Sequence, residues 1–219
     1  MADAEVRPRR RNRRGQGTLL RDDIVQAASS LLEQSGEEEA LTLRAVARAA
    51  GITAPAIYAH FADRDEIKLA VMERTFTTLA EALRPDPGGQ ALPVPALYAV
   101  CRAYLDFAAA HPQLYRVLFE RHRRETIEPG TTGSDVTTII GADAYGVLLD
   151  AVRACVDAGD SVGTSAEAAA VRVWVSLHGM VTLRASLPWF PWPPRDSLLD
   201  DLVRRAADLQ PPPGQGRAR

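Results

Sequence analysis

From Ile24 to Ala206 apolar residues recur three and four positions apart, segment after segment, and no stretch alternates with the two-residue period of a strand. That regularity restricts the chain to an all-α fold, helix packed on helix. Ile24, Ala27, Ala28, Leu31 and Leu32 mark one face of a first helix, with Gly36 as its stop and an acidic loop, Glu37 to Glu39, beyond it. Thr42 is placed to cap a second, short helix that buries Leu43, Val46, Ala47 and Ala50 before Gly51 breaks it. Thr53 is placed to cap a third, where Pro55 is tolerated because a first-turn amide has no intrahelical partner. Asp63 and Glu66 make a capping-box-like start to a long fourth helix carrying Leu69, Met72, Phe76, Leu79 and Leu83.

The run Pro-Asp-Pro-Gly-Gly at 85–89 ends that helix. A fifth, with Leu97, Val100, Cys101, Tyr104, Leu105 and Ala108, stops at His111-Pro112, and a short sixth carries Leu114, Val117 and Leu118. Residues 125–134 read as a loop; a seventh helix, from Ala144 to Cys155, closes at Gly159. A long eighth over 165–187 puts Trp174, Leu177, His178 and Val181 on one stripe, a rigid connector follows from Pro188 to Pro194, and Leu199, Leu202, Val203 and Ala206 define a ninth. The expected layout is a basic arm without fixed structure at 1–18, a helical head at 19–79, a larger helical region at 80–209 and a loose tail at 210–219.

Charge matters by location more than by sum. The net charge of −2 hides the run Arg-Pro-Arg-Arg-Arg-Asn-Arg-Arg at 7–14. As a solvated tail this arm does nothing; laid along a minor groove it adds salt-dependent affinity for DNA, and the second reading is preferred. Lys68 is the only lysine among 26 basic residues, a bias that points to a GC-rich bacterial genome. No apolar run has the roughly 18 to 20 residues of a membrane span, and no apolar segment follows the basic N-terminus as in a signal peptide, so a cytoplasmic protein without membrane contact is expected. The two cysteines, Cys101 and Cys155, fall on apolar helix faces and read as buried free thiols.

The chemistry of the chain concentrates at 42–68. A helix that reads DNA must fit a groove about 12 Å wide, so its tip should be small; Thr53, Ala54, Pro55 and Ala56 supply such a tip. Ala54 and Tyr58 share one face, while Ile57 and Phe61 on the other anchor the core. Tyr58 and His60 offer donors to phosphate, Arg64 and Lys68 add charge at the start of the fourth helix, and Arg44 has the reach for a guanine edge or a phosphate. Spacing alone leaves open a plain tri-helical packing unit in which Tyr58 only covers the core.

The run Leu41-Thr-Leu-Arg-Ala-Val-Ala-Arg-Ala-Ala-Gly-Ile-Thr-Ala-Pro-Ala-Ile-Tyr-Ala-His-Phe-Ala-Asp-Arg-Asp-Glu-Ile67 closely resembles the signature of the TetR family of regulators, a helix-turn-helix (here 42–61) followed by Tyr-x-His-Phe and a basic-acidic helix start. The resemblance covers about residues 19–79. It implies phosphate contacts from Thr42, Tyr58, His60 and Arg64 and base contacts from Arg44, Ala54, Pro55 and Ala56. Ala54 and Ala56 are apolar where relatives often carry polar readers, so thymine methyls, Arg44 and DNA shape should carry more of the readout.

The segment Val173-Trp-Val-Ser-Leu-His-Gly-Met-Val-Thr-Leu183 resembles the Trp-x-x-x-His-Gly signature of one C-terminal class within that family. That resemblance implies a homodimer built through the last two helices, and Gly179 beside an apolar stripe would permit close helix approach. It also implies a small-molecule effector, for which Tyr98, Tyr104, Phe107, Tyr115, Phe119, Tyr145, Trp174 and His178 are the candidate lining residues. Aromatic residues at helical spacing are more often core, and Trp174 and His178 read first as core and interface. The function expected is a ligand-released repressor of a palindromic operator; a purely architectural or partner-binding helical protein is the alternative. No cofactor is implied. His60, His111, His122 and His178 lack metal-ligand spacing, and neither a phosphate loop nor a nucleophile motif accompanies them, which argues against an enzyme.

Overall fold

The computed structural model describes residues 17–85, 92–119, 141–163 and 165–211. The basic arm through residue 16, the break at 86–89, the loop at 125–134 and the tail from 212 lie outside them. Among the described residues the chain is all-helical, with α1 (Gly17–Ser35), η1 (Glu38–Ala40, a 3-10 turn), α2 (Leu43–Ala49), α3 (Ala54–Ile57), α4 (Arg64–Leu83), α5 (Pro93–Ala110), α6 (Pro112–Phe119), α7 (Ala142–Asp157), α8 (Ala166–Ser186) and α9 (Arg195–Ala206). The one β-type pairing among them is an isolated bridge between Ser161 and Leu209. No helix among the described residues is long and apolar enough to cross a membrane.

Two compact units are present. The first holds α1, η1, α2, α3, α4 as far as Thr75, and α6; the second holds α4 from Phe76 together with α5, α7, α8 and α9. Helix α6, which lies within 80–209 in sequence, therefore packs in the first unit, because its apolar side, Leu114 and Val117, closes over that unit's core. This core consists of Ile24, Ala28 and Leu32 from α1, Val46 and Ala47 from α2, Ile57 and Phe61 around α3, and Ile67 and Val71 from α4, all at most 3% exposed.

In the second unit α5 packs on α7, α7 on α8 and α8 on α9. Cys101 of α5 and Cys155 of α7 are buried free thiols, as their apolar positions suggest. The stripe expected on α8 needs correction. The helix buries Ala166, Ala169, Ala170, Val173, Leu177 and Met180, whereas Trp174 is exposed and His178 and Val181 are only half-buried. The buried line of α8 passes through Val173 and Leu177, and Trp174, one position on from Val173, is turned about 100° away from it around the helix axis. The segment after α9 is tied down by Ser161, whose hydroxyl donates to the Ala207 carbonyl at 2.7 Å, and by an ion pair between Arg172 and Asp208.

Candidate nucleic-acid interface

Local chemistry sets the three helices of the head. The Thr42 hydroxyl accepts from the Ala45 amide at 3.1 Å and caps α2. Gly51, at φ +69°, makes the turn that follows, in a left-handed conformation that suits glycine. Thr53 occupies the cap position of α3 but its side chain makes no capping bond, so the cap expected there is positional only. α3 is a single turn, Ala54–Ile57, shorter than the pattern suggested; Tyr58 is already its C-cap, and the His60 and Phe61 amides both return to the Ile57 carbonyl. Ile57 (0% exposed) and Phe61 (1%) pin this turn to the core, and Arg21 of α1 lies over the Phe61 ring at 4.9 Å. α4 begins as expected: Asp63 accepts from the Glu66 amide at 2.8 Å, while the Glu66 carboxylate accepts from the Ala62 amide at 2.7 Å.

With that scaffold fixed, the polar face follows. Thr42, Arg44, Thr53, Pro55 and Tyr58 are exposed, and Ala54, Ala56, His60, Arg64 and Lys68 are half-buried. Tyr58 stands 59% exposed, so it does not cover the core. Arg48, one turn beyond Arg44 on α2, is exposed on the same face; its i, i+4 spacing from Arg44 was the signal available for it. Among the described residues neither arginine makes an ion pair. Arg64 and Lys68 differ. Lys68 Nζ donates to Glu38 Oε1 at 2.8 Å, and Arg64 lies 3.6 Å from the same oxygen and 3.9 Å from Asp65 Oδ1. Glu38 escapes sequence reasoning because thirty positions separate it from Lys68.

The effector candidates are distributed. In the first unit Tyr115 is buried and Phe119 half-buried on α6, with ring centroids 4.8 Å apart. In the second unit Tyr104 and Phe107 are buried core residues of α5. Tyr145 of α7 meets Trp174 of α8 at 5.9 Å. The Tyr98 hydroxyl donates to Asp200 of α9 at 2.7 Å, and desolvation together with that carboxylate raises its pKa. Burial lowers the His178 pKa below the ordinary imidazole value. No group of three metal-ligating side chains occurs among the described residues.

Comparison with known proteins agrees with this geometry. Residues 24–71 match the family described as bacterial regulatory proteins, tetR family, and residues 97–209 match the tetracyclin repressor-like C-terminal domain. The chain is 28% identical over 169 residues to the uncharacterized HTH-type transcriptional regulator Rv0681 of Mycobacterium tuberculosis, covering 75% of this chain and 70% of that one. It is 34% identical over 125 residues to the HTH-type transcriptional activator FasR of Mycolicibacterium smegmatis, covering 53% of this chain and 54% of that one. A solved structure of a protein of unknown function from Rhodococcus sp. RHA1 aligns with a TM-score of 0.66 at 28% identity, over 86% of this chain and 92% of that chain. With its head and its C-terminal helical region both matched by models of one family, the second over more than half of the chain, the chain belongs to the TetR family of DNA-binding transcriptional regulators.

Proposed function

We propose that the chain acts as a homodimeric repressor that releases a palindromic operator when a small molecule binds its second unit. The carrying observation is the head's exposed face, where Arg44, Arg48 and Tyr58 stand free of the core around a tip of small residues at 53–56. Thr42, Tyr58 and His60 serve as phosphate donors, and Arg44 carries the hydrogen-bond readout because Ala54 and Ala56 offer only methyl groups. A bulky occupant at a promoter blocks polymerase, which is the basis of the repressor reading.

Dimerisation runs through α8 and α9. Val171, Trp174, Val175 and Leu183 leave an apolar strip of α8 exposed at 46%, 38%, 62% and 50%, and a side chain at Gly179 would meet open space. The Trp-x-x-x-His-Gly pattern of Trp174, His178 and Gly179 supports assignment to the class of family members that carries it. Tyr98, Tyr104, Phe107, Tyr145, Trp174 and His178 are the effector candidates of this unit; Tyr115 and Phe119 lie on α6 of the other. The effector acts as a population shift, weakening DNA binding by no more than its differential affinity for the two conformations.

FasR, named an activator, favours a second reading in which the bound protein raises transcription. Footprinting on the DNA flanking the gene, followed by a reporter driven from the protected promoter, separates the two. Loss of the protein raises reporter output for a repressor and lowers it for an activator, and a chain that protects no sequence over random duplex is an architectural binder instead.

A further inference from the structure

The cations at the start of α4 lie against carboxylates, whereas those of α2 make no ion pair among the described residues. Among the described residues Glu38 lies against both Arg64 and Lys68, and Asp65 lies against Arg64. The Lys68 and Glu38 side chains are only 14% and 23% exposed, so their 2.8 Å pair is sheltered from the salt that screens a surface bridge. Arg44 and Arg48, by contrast, are exposed and make no ion pair among the described residues. We infer that Glu38 is a positioning residue of the DNA-binding head, which braces Lys68 and Arg64 against η1 and cancels charge that would otherwise add sequence-independent affinity.

The inference rests on the DNA-binding reading. Affinity that comes from phosphate neutralisation falls with salt by a slope of about 0.9 per phosphate engaged. A cation already matched by a carboxylate contributes little to that slope. Glu38→Gln keeps the side chain's size and an acceptor for Lys68 but removes the charge, leaving the cluster one unit more positive.

The experiment compares wild type, Glu38→Gln, Glu38→Asp and the double variant Glu38→Gln/Lys68→Met on operator and random duplexes across a salt series, with thermal midpoints recorded for each. Glu38→Gln is expected to tighten both duplexes several-fold at low salt, more for random DNA in proportion, and to steepen the slope by about 0.9. Glu38→Asp keeps the wild-type slope, and the double variant loses the steepening. A Glu38→Gln protein with unaltered slope overturns the inference, as does one whose affinity falls together with its thermal midpoint, the mark of a purely structural brace. A double variant that keeps the steeper slope overturns it as well. A wild-type chain whose binding to duplex ignores salt overturns the DNA-binding reading and this inference together, whereas a salt-dependent wild type with an unchanged variant overturns this inference alone.

Discussion

Gly141 is held at φ +92°, and a Cβ built on it would stand 2.7 Å from the Phe76 ring. Both the backbone conformation and the close ring oppose any side chain there. Gly141→Ala should therefore lose about 1–3 kcal/mol, the cost of a strained non-glycine conformation, read as a lower urea midpoint with an unchanged m-value. A second residue-scale test concerns readout. Arg44 is exposed and without an ion pair among the described residues, so Arg44→Ala should weaken operator binding by about 1–3 kcal/mol and random-duplex binding by clearly less. Equal losses on both would assign Arg44 to phosphate. Sequence made both residues visible only in part: Arg44 by its place in the signature, Gly141 hardly at all, because the ring opposite it comes from 65 positions away.

At the scale of elements, caps decide where the head's helices begin. Asp63 satisfies the Glu66 amide and Thr42 the Ala45 amide, and each relieves one of the unpaired donors of a helix start. Asp63→Ala should cost about 1 kcal/mol, measurable as a lower thermal midpoint, whereas Thr53→Ala should cost less since Thr53 makes no capping bond. The capping sites of α2 and α4 were legible in sequence because a cap is a local contract between residues three apart. The length of α3 was not. Helical spacing continued to Phe61, but the helix is capped at Tyr58, and the Ile57 carbonyl takes both the His60 and the Phe61 amides as Phe61 enters the core at 1% exposure. The orientation of α8 escaped for a similar reason: Trp174 fits the apolar pattern as well as Val173 does, and only the neighbours that cover α8 decide which of the two is buried.

At the scale of the molecule, the exposed strip on α8 should hold a second copy. Val175→Glu places a charge in its middle, at a position 62% exposed in the single chain, and should yield a folded monomer by light scattering. If the variant stays dimeric, another surface pairs the chains. Global stability should also fall in alkali. Burial pushes the Cys101 thiol from 9.0 up to about 12 and the Cys155 thiol up to about 11. Above pH 9 the unfolded thiols ionise while the folded ones keep their protons, so the unfolded state binds fewer protons and stability declines as pH rises. The decline reaches up to about 1.4 kcal/mol per pH unit for each thiol until its folded pKa is passed. Urea midpoints at pH 8 and 10 should separate for the wild type and lie closer together for a Cys101→Ala/Cys155→Ala variant.

Spacing and near-neighbour caps set the helical architecture and the starts of α2 and α4, the small tip at 53–56 is plain in the residues themselves, and the helix-turn-helix was legible through the family signature at 41–67. Tertiary structure alone decided that α6 joins the first unit, that Trp174 faces outward, and that Glu38 holds Lys68 and Arg64. Those outcomes depend on which surfaces meet across tens of residues. An apolar face encodes that it must be covered, but not by what, and a charge encodes no partner until the fold supplies one.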